Sequence, residues 1–157
     1  VVFVEHRGLY WTRGQVPEGE HLVPIGKAAV AREGEALTIV ATAKMLPIAL
    51  EAAEELSSGI SVEVIDPRTV SPLDVETIVS SVKKTSRLII VHEAVEQDGI
   101  GAEIVARVQQ EAFYYLDSPI TRVAAPFAPV PASPALEKCF VPGKREIMRA
   151  VQRVLNR

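Results

Sequence analysis

Apolar runs of strand length alternate along this chain with stretches in which apolar residues recur every three or four positions. Leu37 to Thr42, Ile60 to Ile65, Arg87 to Val91 and Ile120 to Ala124 are short and rich in branched side chains. That is the pattern of strands buried on both faces. Leu46, Ala49, Leu50, Ala53 and Leu56 predict a helix from about Met45, stopped by Ser57-Ser58-Gly59. Val75, Ile78, Val79 and Val82 predict a second helix, ending near Lys83-Lys84-Thr85, where basic side chains suit the negative end of the helix dipole. Its start is read from Ser71-Pro72-Leu73-Asp74: a serine cap, a proline at the first helical position and an acid that reaches back. Ile104, Val108 and Ala112, with Val105, Phe113 and Leu116 beside them, predict a third helix. Strand–helix–strand units too long for hairpins imply right-handed parallel crossovers. The expected fold class is therefore α/β, a three-layer αβα sandwich around a mostly parallel sheet of four or five strands.

The two ends of the chain read differently. Val1-Val2-Phe3-Val4 has the character of a strand, and a strand this apolar is an exposed-edge liability unless another domain pairs with it. The expectation is a piece of a larger polypeptide, or one half of an obligate assembly. From Thr12 to Pro24 glycine and proline interrupt a polar stretch without periodicity, the mark of a surface linker. Tyr10 and Trp11 at its start either anchor against a neighbouring domain or pack as part of a tethered arm. Leu22 to Arg32 can supply a short strand and turn. Pro126, Pro129, Pro131 and Pro134 keep the segment after the last strand out of a sheet interior. Ser133-Pro134 opens a short helix to about Phe140, and a final helix from Gly143 carries Ile147, Val151, Val154 and Leu155.

Composition narrows the functional classes. With 48% apolar residues in 157, the chain can bury one domain-sized core. Its net charge of −3, with 17 basic residues spread among 20 acidic ones, offers no basic stripe for nucleic acid or acidic lipid. The apolar runs fall far short of the ~20 residues of a membrane span. One cysteine, Cys139, excludes an intrachain disulfide framework and a multi-cysteine metal site, and fits a cytoplasmic protein.

Candidate chemistry clusters where strands end. His92 and Glu93 follow the strand at Leu88 to Val91, at the carboxyl edge where open α/β sheets place their sites. His92 can act as a general base oriented by Glu93 or Glu96, or serve as a hydrogen-bonded structural residue. Gly99 and Gly101 lack the dinucleotide-binding spacing; they either expose amides to an anion at a helix start or permit tight helix–sheet packing. Arg68, after Asp66-Pro67, either faces a carboxylate or phosphate or pairs with Asp66 or Asp74. Glu5-His6-Arg7 forms a second polar cluster, expected near an interdomain seam. No H-E-x-x-H, Walker A or nucleophile elbow occurs, and no metal ligand set is expected.

Four segments in this order and spacing, VVFVEHRGLYWTRGQVP, VIDPRTVSPLD, IIVHEAVEQDGIGAEI and PVPASPALEKCFVP, resemble the C-terminal half of the beta subunit of thiamine-diphosphate-dependent 2-oxoacid dehydrogenases of the pyruvate, branched-chain and acetoin type. The resemblance spans the whole chain. It implies that residues 1–5 are the last strand of a pyrimidine-binding domain, 6–30 an interdomain linker and 31–157 a transketolase-type C-terminal domain. That domain is a mixed five-stranded αβα sandwich with one antiparallel edge strand. It also implies an α2β2 assembly with an alpha subunit and a second beta subunit, and docking of the acyltransferase's peripheral-subunit-binding domain. Thiamine diphosphate and magnesium are then held elsewhere in the assembly. His6, Arg68, His92 and Glu93 are expected to line an interface or active-site seam, with no catalytic group on this chain, and the fragment could also dimerise. Alternatives are a stand-alone interaction domain of this fold, or a fragment of a transketolase or deoxyxylulose-phosphate-synthase relative, in which Arg68 would meet a phosphate. Ala43 and Asp98 stand where that family commonly has glycine.

Overall fold

The computed structural model describes residues 1–156. Five strands and five helices follow in order: β1 (Ala29–Arg32), β2 (Leu37–Ala41), α1 (Met45–Glu55), β3 (Val62–Asp66), α2 (Val75–Thr85), β4 (Leu88–Val95), α3 (Ile100–Ala112), β5 (Thr121–Ala125), α4 (Pro134–Phe140) and α5 (Lys144–Leu155). The sheet order is β1-β3-β2-β4-β5. β2 runs parallel to both β3 and β4, β4 parallel to β5, and only the edge strand β1 is antiparallel, to β3. The fold is thus the expected αβα sandwich with a mixed, mostly parallel sheet.

Alternation along each strand divides the core in two. Leu37, Ile39 and Ala41, with Val62, Val64, Ile89 and Val91, face α1 and α5. Val40, Ile65, Leu88 and Ile90 face α2 and α3. Both faces are covered, so β2 has no polar side: even Thr38 is fully buried. That double cover is why these strands read as apolar runs rather than alternating ones.

Three local expectations change. The α2 cap is Asp74, not Ser71. Asp74 Oδ1 accepts from Thr77 N at 3.2 Å, while Oδ2 accepts from Ala28 N at 3.0 Å, so one carboxylate starts the helix and ties down the chain entering β1. α3 tightens into a 3-10 turn at Phe113–Tyr115, which swings Phe113 off the apolar stripe and leaves it exposed beside Tyr114. Val1–Val4 forms no strand and is fully exposed, as no strand of the described residues lies beside it.

Candidate functional site

β2 leads through α1 to β3 on one side of it, whereas β4 leads through α3 to β5 on the other. The two connections diverge between β2 and β4, whose carboxyl ends therefore flank the topological switch point, the customary ligand crevice of such sheets. Apart from Ser86 (φ 60°), which ends α2, the described non-glycine residues with positive φ lie along this edge. Ala43 (φ 48°), Arg68 (φ 54°) and Asp98 (φ 56°) follow β2, β3 and β4 respectively, each in the left-handed region. That conformation costs a side-chain-bearing residue roughly 1–2 kcal/mol, less for Asp.

Glu93 stands at this switch point. Its Oε2 lies 2.7 Å from His6 Nε2, and its Oε1 3.6 Å from Lys44 Nζ at the start of α1. His6 Nδ1 accepts from Gly8 N at 3.0 Å, so Nε2 carries the ring proton and donates it to Glu93. The two polar clusters, far apart in sequence, thus meet in one group.

His92 points to the opposite face of β4 and uses neither Glu93 nor Glu96. Its Nδ1 donates to Ala94 O at 3.0 Å, and its Nε2 is buried without a hydrogen-bond partner. Burial pushes its pKa below the ordinary value, against the Ala94 hydrogen bond and with help from the nearby Arg122 charge. A neutral ring with its lone pair toward the first turn of α3 suits the positive end of that helix. Gly99 and Gly101 make room for it: a Cβ at Gly101 would sit 2.4 Å from His92 Nε2, and one at Gly99 2.8 Å from its Cε1. Glu96 instead meets Arg122, whose guanidinium also donates to the Glu96 carbonyl at 2.5 Å.

Arg68 keeps apart from that group. Its backbone N–H donates to Asp66 Oδ1 at 3.0 Å and its Nε approaches Asp66 Oδ2 at 4.0 Å, a half-exposed, loose pair. Asp74 is engaged with Ala28 and Thr77 instead.

At the other end of the strands lies a polar network that sequence reading overlooked. Glu63, on β3 and 1% exposed, accepts from Ser81 Oγ, Lys84 Nζ and Gly34 N, the last at 3.3 Å. Thr38 Oγ1 joins Ser81 Oγ at 2.6 Å and Thr85 Oγ1 at 2.7 Å. Burial acts to raise the Glu63 pKa, but the bonds from Lys84, Ser81 and Gly34 outweigh it and hold the carboxyl below its ordinary range. The bond to Glu63 raises Lys84 in turn. Gly34 is needed for the approach, since a Cβ there would lie 2.1 Å from Glu63 N. The available signal was Glu63 inside the apolar run Val62 to Ile65, an acid that a strand buried on both faces must pair. Among the described residues no cluster of three or more His, Cys, Asp or Glu could hold a metal ion.

A parallel sheet with one antiparallel edge and a polar cluster at its switch point defines a class of α/β domain rather than an activity. Its membership follows from comparison: residues 26–147 match the family described as "Transketolase, C-terminal domain", and the chain belongs to that family. The particular kinship is with beta subunits. The chain is 46% identical to the pyruvate dehydrogenase E1 component subunit beta of Bacillus subtilis, over 99% of this chain and 48% of that protein. It is 42% identical to the acetoin:2,6-dichlorophenolindophenol oxidoreductase subunit beta of Cupriavidus necator, over 99% of this chain and 46% of that one. A solved structure titled "Split gene transketolase, inactive beta4 tetramer" superposes with a TM-score of 0.75 at 28% identity, covering 91% of this chain and 46% of its own. The chain spans about half the length of the curated relatives it matches.

Proposed function

We propose that this chain is the C-terminal region of a 2-oxoacid dehydrogenase beta subunit and serves the oxidative decarboxylation of a 2-oxoacid by building the assembly. The observation that carries this reading is the 46% identity to a pyruvate dehydrogenase beta subunit, sustained over 99% of the chain. Thiamine diphosphate and magnesium belong to neighbouring domains, and the decarboxylation chemistry is the cofactor's. This chain's own contribution is contact: to an alpha subunit, to a second beta subunit in an α2β2 arrangement, and to the peripheral-subunit-binding domain of an acyltransferase in the cytoplasm. Its exposed apolar side chains suit that role. Val1 to Val4, Tyr10, Trp11, Phe127, Val130 and Leu136 are all open to solvent, more than an isolated domain usually leaves uncovered. His6, Glu93 and Arg68 lie at the carboxyl edge, which faces the seam with the pyrimidine-binding domain, and His92 supports that edge from within.

The test is assembly with a matching alpha subunit. The complete beta chain should co-elute with it as a heterotetramer and decarboxylate a 2-oxoacid when thiamine diphosphate and magnesium are added, while these 157 residues alone should not. Turnover by the isolated chain would overturn the reading, and so would failure of the complete beta chain to bind any such alpha subunit. The relative described as an inactive β4 tetramer favours a second expectation: without its partner, this chain self-associates, eluting as a dimer or larger.

A further inference from the structure

The crevice at the β2/β4 switch point is where a sheet of this kind would hold a small ligand. Here it meets the chain's own linker. Of residues 1–25, His6 and Leu9 are the two that are partly buried, the rest being exposed. This turn is therefore the most covered point of the arm, and His6 supplies its polar contact to the domain. The His6 ring bridges two anchors. Glu93 Oε2 receives its Nε2–H at 2.7 Å, and Gly8 N–H fills its Nδ1 at 3.0 Å. Lys44 completes the grip: its ammonium lies 3.6 Å from Glu93 Oε1, and its stem passes 3.5 Å from where a Gly8 Cβ would stand. The turn is locally braced, with Leu9 N donating to His6 O at 2.9 Å and Tyr10 Oη to Glu5 Oε2 at 2.9 Å. Both ring nitrogens of His6 are thus engaged in hydrogen bonds.

We infer that His6, Glu93 and Lys44 form a clasp that seats the linker in the switch-point crevice and sets the direction in which residues 1–5 leave the domain. These are positioning residues. Resting on the functional reading above, in which residues 1–5 end a pyrimidine-binding domain, the clasp fixes the angle between that domain and this one. It does so at a junction that fold topology would otherwise leave open to a small molecule.

Two Arg–Gly bonds provide a test within this chain. Arg7–Gly8 lies in the clasped turn, and Arg13–Gly14 in the exposed stretch beyond it. Under dilute trypsin, intact-mass spectrometry of the first cuts should show Arg13–Gly14 cleaved at least about tenfold faster than Arg7–Gly8. His6→Ala and Glu93→Ala should bring the Arg7–Gly8 rate up about tenfold, the effect of losing one charge-assisted hydrogen bond. Glu93→Gln, which keeps an oxygen to accept from Nε2, should recover part of the protection. Equal rates at the two bonds in the unaltered chain, or no response to either alanine, would overturn the clasp whatever the protein's function. In the complete beta chain assembled with its alpha subunit, Glu93→Ala should lower kcat several-fold while KM for the 2-oxoacid stays within about twofold. An unchanged kcat beside a deprotected Arg7–Gly8 would overturn the positioning role. Failure to assemble at all, by contrast, would count against the functional reading.

Discussion

Replacing Glu63 with glutamine removes one charge from a largely buried network while leaving its shape, and the structure sets both the size and the pH dependence of the loss. Each hydroxyl in the network has one hydrogen to give. Ser81 gives its own to Glu63, so Thr38 must donate to Ser81, and Thr85, whose hydroxyl also lies 3.2 Å from Arg87 O, must turn its hydrogen to Thr38 for all three short contacts to be bonds. The relay runs one way and ends on an ionised acceptor. Glutamine keeps one oxygen, for Lys84 and Gly34, but turns an amide N–H2 toward Ser81 and forces the relay to reverse. Of its two carboxylate partners, Lys84 then retains the exposed Glu33, at 3.3 Å. Exchanging charge-assisted bonds for neutral ones lowers stability by about 2 kcal/mol. In a chain of this size that lowers Tm by roughly 4–8 °C. Because the folded pKa of Glu63 lies below its ordinary value of 4.5, its stabilisation is fully present above the unfolded pKa and is lost as pH falls through the folded one. Urea unfolding of both proteins at neutral pH, and again at the most acidic pH at which they remain folded, should show the gap closing as Glu63 takes up its proton and comes to resemble glutamine. A gap that persists in acid, or one below about 0.5 kcal/mol at neutral pH, would refute this account of the network.

Three further substitutions probe the carboxyl edge. Ala43→Gly should stabilise the chain by about 1 kcal/mol, because φ 48° costs alanine what glycine escapes; thermal unfolding measures it, and a lowered Tm would contradict it. Gly101→Ala should destabilise by about 2 kcal/mol through collision with the His92 ring, and should cost much less in a His92→Ala background; additive losses in that cycle would show that the two do not share one space. In an assembled enzyme, His92→Gln should leave turnover within about tenfold, since its Nε2 is buried and its Nδ1 is engaged with a carbonyl; a loss of ~10²-fold or more would make it a proton-transfer group.

Much of the fold was legible because the sheet is covered on both sides. Leu37 to Ala41 and Leu88 to Val91 could announce themselves as strands since none of their positions needs to meet water. Helices α2 and α5 carry their buried stripes at the positions their periodicity marks, whereas in α1 the buried residues are Met45, Ala49, Ala52 and Ala53, with Leu46 and Leu50 only partly covered. What escaped depends on contacts that no local pattern encodes. Asp74 displaced Ser71 as the α2 cap, its second carboxylate oxygen held by Ala28, 46 residues away. The antiparallel course of β1 is a matter of which edge a short strand joins, and only family resemblance supplied it. His92 and Glu93 are neighbours in sequence but lie on opposite faces of β4, so pairing them as base and orienting acid ignored the strand's own alternation. Glu93 found its partner across the fold, in a histidine that the linker brings back to the switch point.

The contrast between the two ends of the sheet bears on what the domain is for. At the amino ends of β2 and β3, Thr38 and Glu63 are buried and fully bonded to α2, and that network holds sheet and helix together without reference to any partner. At the carboxyl ends, three successive connections each carry a strained residue, glycines are cut back to admit the His92 ring, and the polar groups are partly open to solvent. Strain of this kind persists only where surrounding structure enforces it, and it gathers where the chain's path serves something beyond its own stability. The Ala43 strain bears directly on this. It places Lys44 at the head of α1, within reach of Glu93, and so helps form the group that receives the linker. If that geometry were dispensable, Ala43→Gly would be a gain without cost. The substitution that raises Tm by relieving this strain should also loosen Lys44 through glycine's wider backbone freedom, and the rate of cleavage at Arg7–Gly8 should rise with it. A stabilised Ala43→Gly variant with unaltered protection at that bond would show the strain to be incidental.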